Sequence, residues 1–210
     1  LTDCQLGHEV TIGPYARLTC SQLHDQVTVA AHAVIEHATI GAHGTVGEGV
    51  SQRQTRIGER VVIHASNSLV DVTLEHACQL HYGGAFTDVA LGAYSYITER
   101  AIIGHTRIGR FCSIGPDFRC GYGEHPTRFV STSPVFYSPA QQCGVSFTEM
   151  SCFEETHPIH IGNDVWIGAG VFVRDGVRIG ALGDANWVEK NGEWTYGKFE
   201  IRHIAYNVVK

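Results

Sequence analysis

The sequence predicts an all-β chain wound as a parallel β-helix, and two observations carry that expectation. A six-residue unit recurs in fixed phase, and glycine is abundant, at 24 residues, while proline is ordinary at 6, which favours turn-dense β structure over helix. The first units are Ile12-Gly13-Pro14-Tyr15-Ala16-Arg17, Val46-Gly47-Glu48-Gly49-Val50-Ser51 and Ile57-Gly58-Glu59-Arg60-Val61-Val62. They continue as Leu91-Gly92-Ala93-Tyr94-Ser95-Tyr96, Ile108-Gly109-Arg110-Phe111-Cys112-Ser113 and Ile114-Gly115-Pro116-Asp117-Phe118-Arg119. After a gap come Ile161-Gly162-Asn163-Asp164-Val165-Trp166 and Ile167-Gly168-Ala169-Gly170-Val171-Phe172. Each begins with an aliphatic residue, usually follows it with glycine, and often has a small or β-branched residue fifth.

Such a unit lacks the i, i+3, i+4 apolar spacing of a helix and suits a short strand ended by a tight turn. Three units close a triangular coil with the aliphatic side chains inside, and coils stack as parallel strands about 4.8 Å apart. One coil cannot bury its own interior, so stability comes from stacking. The phase is imperfect around Gln52-Arg53-Gln54 and Asp71-Val72-Thr73, where corner bulges or small loops are expected. Residues 1–120 read as N-terminal coils, 121–158 as an inserted loop, 159–180 as continuing coils and 181–210 as a divergent C-terminal cap.

Composition narrows the function. A net charge of −6 without a basic cluster argues against nucleic acid as a partner. The apolar runs are too short to span a bilayer, and no basic-then-apolar leader is visible; the sequence opens on Leu1 where a natural start would carry methionine, so residues upstream of it are expected. Seven cysteines without a C-x-x-C pair read as reduced thiols, which places the protein by default in the cytoplasm. The histidines His32, His37, His43, His64, His76 and His81 read as solvated corner residues in preference to a metal site.

The repeats stop after Cys120 and resume at Ile159, leaving an interruption of about 38 residues. Loops of that length inside a compact domain are usually functional or disordered, and Phe129, Phe136, Tyr137, Phe147 and Phe153 argue against disorder. It reads as an excursion that folds over a coil face or reaches a neighbouring subunit. From Leu91 to Gly180 the chain resembles the xenobiotic acetyltransferase branch of the hexapeptide acyltransferases, which includes class B chloramphenicol and streptogramin acetyltransferases and polysaccharide O-acetyltransferases. The residues that carry the resemblance are Tyr94-Ser95-Tyr96-Ile97, Ile108 to Gly115, His125-Pro126-Thr127, Ser131-Thr132-Ser133-Pro134-Val135-Phe136 and Ile161-Gly162-Asn163-Asp164-Val165-Trp166-Ile167-Gly168, in that order. The resemblance implies a left-handed β-helix, a homotrimer, and acetyl-CoA held in a cleft between subunits as co-substrate, with no metal.

By that resemblance His125 matches the general base. The residue type suits this role, because an alcohol must lose a proton as it attacks a thioester. Imidazole, with a pKa of about 6.5, accepts one at neutral pH and returns it to the departing thiolate. A histidine merely capping the turn before Pro126 is the alternative. Glu124 either orients the imidazole or stands solvated. Trp166 matches the tryptophan beside the coenzyme, where its face suits the pantetheine arm and backbone groups at Gly168 and Ala169 bond its amides; a corner aromatic packing on the next coil is the other reading. Tyr122 and Phe136, with Glu124, are the candidates for the acceptor pocket.

The resemblance ends after Gly180, where the family continues with further repeats, a lysine-bearing loop and a helix. Lys190-Asn191-Gly192-Glu193 reads instead as a hairpin turn between strand-prone aromatics. The expected activity is transfer of acetyl to a hydroxyl of a sugar, polysaccharide precursor or small xenobiotic. Two other classes stay open: an inactive β-helix that binds carbohydrate or scaffolds a partner, and a metalloenzyme of the γ-carbonic anhydrase type, for which His76 and His81 offer a pair.

Overall fold

A computed structural model describes residues 1–180 together with the strands Trp187–Lys190 and Glu193–Tyr196. The chain is a left-handed parallel β-helix of triangular section. One face is an eight-stranded parallel sheet from Thr11–Ile12 to Trp166–Ile167, with rungs such as Thr28–Val29, Val62–Ile63 and Tyr96–Ile97 between. The other two faces merge into a second sheet, because the strands Ser68–Leu74, Ala85–Leu91 and Ile102–Ile108 run unbroken around the corner between them.

The phase shifts expected near Gln52 and Asp71 are not local faults. Gln5 faces Gln22, Gln22 faces Thr39, Thr39 faces Arg56, Arg56 faces Thr73, Thr73 faces Ala90 and Ala90 faces Arg107, so every coil takes 17 residues. Two sides of the triangle use six residues and the third uses five. The short side is possible because Cys20, His37, Gln54, Asp71, Asp88 and His105, seventeen apart, each adopt positive φ between 48° and 55° and turn the corner in one step. The polar residues among them favour this left-handed conformation more than most side chains do. The coil after the loop returns to a full 18 residues, with His160 opposite Arg178.

The interior is a set of ladders. Leu23, Ile40, Ile57, Leu74, Leu91, Ile108 and Ile161 are buried along one, and Val29, Val46, Ile63, Leu80, Ile97, Ile114 and Ile167 along another. Burial of each such side chain is worth roughly 1.5–3 kcal/mol, which is what holds coils whose strands are only two or three residues long. The third ladder runs Ile35, Gln52, Leu69, Phe86, Ile103, Cys120 and Val173 and contains one polar member. Gln52 is 1% exposed; its Oε1 accepts a hydrogen bond from Thr55 at 3.3 Å, but its Nε2 has no partner. Glycine at the second position of a unit has a direct steric cause: a Cβ on Gly115 would stand 2.7 Å from the backbone of Gly168 in the next coil.

At the C-terminal end Trp187–Lys190 pairs antiparallel with Arg178–Ile179 and with Glu193–Tyr196, with Lys190 opposite Glu193. The turn at Asn191 and Gly192 lies outside the described residues. Among the described residues no helix is long and apolar enough to cross a membrane.

Candidate functional site

The excursion leaves the stack at Gly121, at the corner between the two merged faces. Its carboxyl-terminal leg rejoins the stack at Ile159–Ile161, which pairs with the end of Ile102–Ile108. The loop carries little regular structure beyond a 3-10 turn at Pro134–Phe136. What folds it is a small aromatic core: Phe129, Tyr137 and Phe153 meet edge to face, with ring centroids 6.3, 6.2 and 5.7 Å apart. Tyr137 is fully buried, and its carbonyl accepts the Cys152 N–H at 2.8 Å.

His125 sits at the neck of this loop, exposed on its outer side, with its Nδ1 2.7 Å from the Tyr137 hydroxyl. The pKa of that phenol is pushed up, first by burial and then by the carboxylate of Glu155 beside it. Glu124 behaves differently from either expectation. Its carboxylate is neither turned to the imidazole nor solvated alone, because Arg174 on the following coil grips it through both Nε and Nη2, the latter at 2.8 Å. That guanidinium holds the Glu124 carboxyl below the usual range. Its carboxylate is therefore engaged, which argues against Glu124 as an acceptor contact. Tyr122 is half exposed and its ring lies 6.2 Å from Phe172 on the coil face. Phe136 does not join it: it is exposed in the outer loop and packs edge-on to Phe147 at 5.5 Å.

Trp166 is 65% exposed on the eight-stranded face, opposite Ser113 in register. It does not pack on a next coil among the described residues. Gly168 follows at the edge of that face, and a Cβ there would meet nothing within 4 Å. Ala169 beside it is exposed. The indole surface is thus open beside a glycine that presents bare backbone. That face is opposite the corner from which the loop departs. A single chain therefore groups Tyr122, Glu124 and His125 at one side of the prism and Trp166, Gly168 and Ala169 at the other.

The histidines of the N-terminal half take separate places. His32, His37 and His43 occupy left-handed corner positions. His76 packs on Tyr94 at 5.4 Å, while His81 packs on His64 at 5.1 Å and on Tyr96 at 6.3 Å. Among the described residues, no three His, Cys, Asp or Glu side chains converge to hold a metal ion. The buried thiols of Cys78 and Cys120 are pushed up to about 11 and about 12, chiefly by burial, so they stay protonated and inert. The sequence pointed to neither Arg174 nor Asp175, and to Tyr137 only as one of the loop aromatics, not as a partner of His125. No repeat or motif marks them, and each matters through a partner 12 to 52 residues away.

No protein-family model matches the chain. It is 30% identical over 119 residues to a chloramphenicol acetyltransferase of Klebsiella aerogenes, covering 54% of each protein. It is 32% identical over 90 residues to a chloramphenicol acetyltransferase of Morganella morganii, covering 40% of this chain and 42% of the relative. The chain thus spans about half the length of the curated relatives it matches. Among solved structures, the polySia specific acetyltransferase NeuO aligns with 86% of this chain and 72% of its own at 15% identity, with a TM-score of 0.30, too low to carry weight. The resemblance to the acetyltransferases read from the motifs is borne out by these relatives.

Proposed function

We propose that the chain is an acetyl-CoA-dependent O-acetyltransferase whose general base is His125 and whose acceptor is a hydroxyl of a sugar, polysaccharide precursor or small xenobiotic. The observation that carries this reading is the pairing of an exposed loop imidazole with a fully buried phenol, 2.7 Å from Nδ1. A base of this kind needs Nδ1 to carry the ring proton and to donate it to the Tyr137 hydroxyl oxygen. The lone pair then rests on Nε2, the nitrogen facing outward. An imidazole held in that tautomer can take the proton of an incoming hydroxyl, and no covalent enzyme intermediate is needed. The co-substrate supplies the activated acyl thioester. Trp166 offers its face to the pantetheine arm, and the backbone at Gly168 and Ala169 offers hydrogen bonds. Tyr122, next to the base, lines the acceptor side.

The same chain holds His125 and Trp166 on opposite sides of the prism, so the site is completed by a neighbouring copy. By the resemblance to the acetyltransferases, that assembly is a homotrimer with three sites between subunits. The loop 121–158 is then the catalytic insert, between coils 1–120 and 159–180 that serve as scaffold.

Two measurements test the reading. Calorimetry with acetyl-CoA should give saturable binding that Trp166→Ala weakens; absence of any binding heat would leave an inactive scaffold. An acceptor screen that detects released thiol should then find turnover that depends on His125.

A further inference from the structure

The neck of the loop is fastened by two adjacent residues of the coil that follows it. Asp175 is 8% exposed, and its carboxylate reaches both legs of the excursion. Oδ1 accepts the N–H of Gly123 on the outgoing leg at 3.3 Å, and Oδ2 accepts the N–H of His157 on the returning leg at 3.3 Å. Arg174 binds the carboxylate of Glu124, the residue immediately before His125. The legs also hold each other, Glu124 N–H donating to the Glu155 carbonyl at 2.7 Å, and the coil adds Gly176 N–H, which donates to the His157 carbonyl at 3.2 Å. Gly123 takes a positive φ of 81°, and a Cβ there would stand 3.1 Å from the Glu155 oxygen, so the legs pass too close for a side chain. Asp175 makes no ion pair among the described residues. A buried carboxylate spent on two backbone N–H groups is costly unless both bonds persist, which makes it a specific fastening.

We propose that Arg174 and Asp175 are positioning residues that fix the orientation of the His125 imidazole from the scaffold side, as Tyr137 fixes it from the loop side. The inference rests on His125 being the base, but its structural content is separable. With Arg174 and Asp175 in place, the segment Gly123–Glu124–His125 is tied at both the backbone and the side chain preceding the ring. Without them the ring keeps only Tyr137 as a fixed point and swings about it. Catalysis that depends on near-attack geometry loses about 10- to 100-fold from a displacement of roughly 1 Å.

The test uses the full chain with Asp175→Asn, Arg174→Met and the charge-exchanged pair Glu124→Arg with Arg174→Glu. The ring nitrogens of His125, recognised by the signals that vanish in His125→Gln, are followed by 15N–1H NMR. Wild type should show one sharp set of ring signals, and both single variants shifted or exchange-broadened ones. Melting midpoints should stay within about 5 °C, because the interior ladders are untouched. In the acetylation assay kcat should fall about 10- to 100-fold while KM for acetyl-CoA changes less than about twofold. The exchanged pair should restore the wild-type ring signals and most of kcat. Unchanged ring signals in both single variants would overturn the proposal, as would signal changes that appear only together with unfolding; should Asp175→Asn fail to fold, the Arg174→Met and exchanged-pair spectra decide alone. Wild-type protein that binds no acetyl-CoA and turns over no acceptor would remove the functional reading, and the ring signals would still decide whether these residues hold the imidazole.

Discussion

The coils of residues 1–120 and the excursion of residues 121–158 are stabilised by opposite strategies. In the coils each residue repeats the environment of the one 17 positions earlier, so stability is distributed over ladders and no single contact is unique. In the excursion almost nothing repeats. One buried tyrosine, the two phenylalanine rings packed on it and a neck held by Arg174 and Asp175 carry the conformation. A repeated architecture tolerates local loss and offers a rigid frame, whereas a singular one concentrates its geometry in a few groups and so can aim a side chain. The contrast also separates what mutations should do in each region.

The sharpest break is at the proposed base. His125→Ala should lower the acetylation rate by about two to four orders of magnitude, with the melting midpoint unchanged, as measured by thiol release and thermal unfolding. Near-normal turnover would remove His125 from the chemistry. In the coils, Leu80→Ala should cost about 2–5 kcal/mol in denaturant unfolding, because a buried rung leaves a cavity its neighbours cannot fill. Its rate per folded molecule should stay near wild type, and a large fall there would blur the distinction between frame and site.

Tyr137→Phe should reduce kcat about tenfold, the worth of one hydrogen bond that selects the tautomer, and should leave the aromatic core packed. Gln52→Leu together with Thr55→Val should stabilise the stack by about 1 kcal/mol, since the pair removes a buried amide nitrogen without a partner and does not strand the buried Thr55 hydroxyl that donates to Gln52. Loss of stability in urea titration would show that the amide is satisfied by a buried water. The smallest effect concerns acid. Arg174 lowers the Glu124 pKa below its ordinary 4.5, so the pair contributes fully above that value and is lost only as pH falls through the depressed one. With Arg174 73% exposed, solvent screening limits the effect to no more than about 1 kcal/mol. Carboxyl 13C NMR of Glu124 should show an intact neck at pH 5 and protonation only below 4.5.

The parallel β-helix was legible because its cause is local and repeated. An aliphatic residue followed by glycine every six residues states both what lies inside and where the next coil passes. The 17-residue coil was less legible: the short side depends on positive φ at positions such as Gln54 and Asp71, which in sequence looked like lapses of phase. His125, Trp166, Gly168 and Ala169 were named from motifs, and the sequence has no term for where one stands relative to another.

The amino-acid order by itself determined the architecture and the length of the interruption, because both are written in spacing along the chain, and it offered His125 as a candidate base through the resemblance to the acetyltransferases. Only the tertiary structure decided that Glu124 is bound by Arg174, that Tyr137 holds the imidazole, and that His125 and Trp166 lie on opposite sides of one prism. The physical reason is that these are contacts between residues far apart in sequence, formed once and without repetition. Their geometry comes from how the loop closes on the stack.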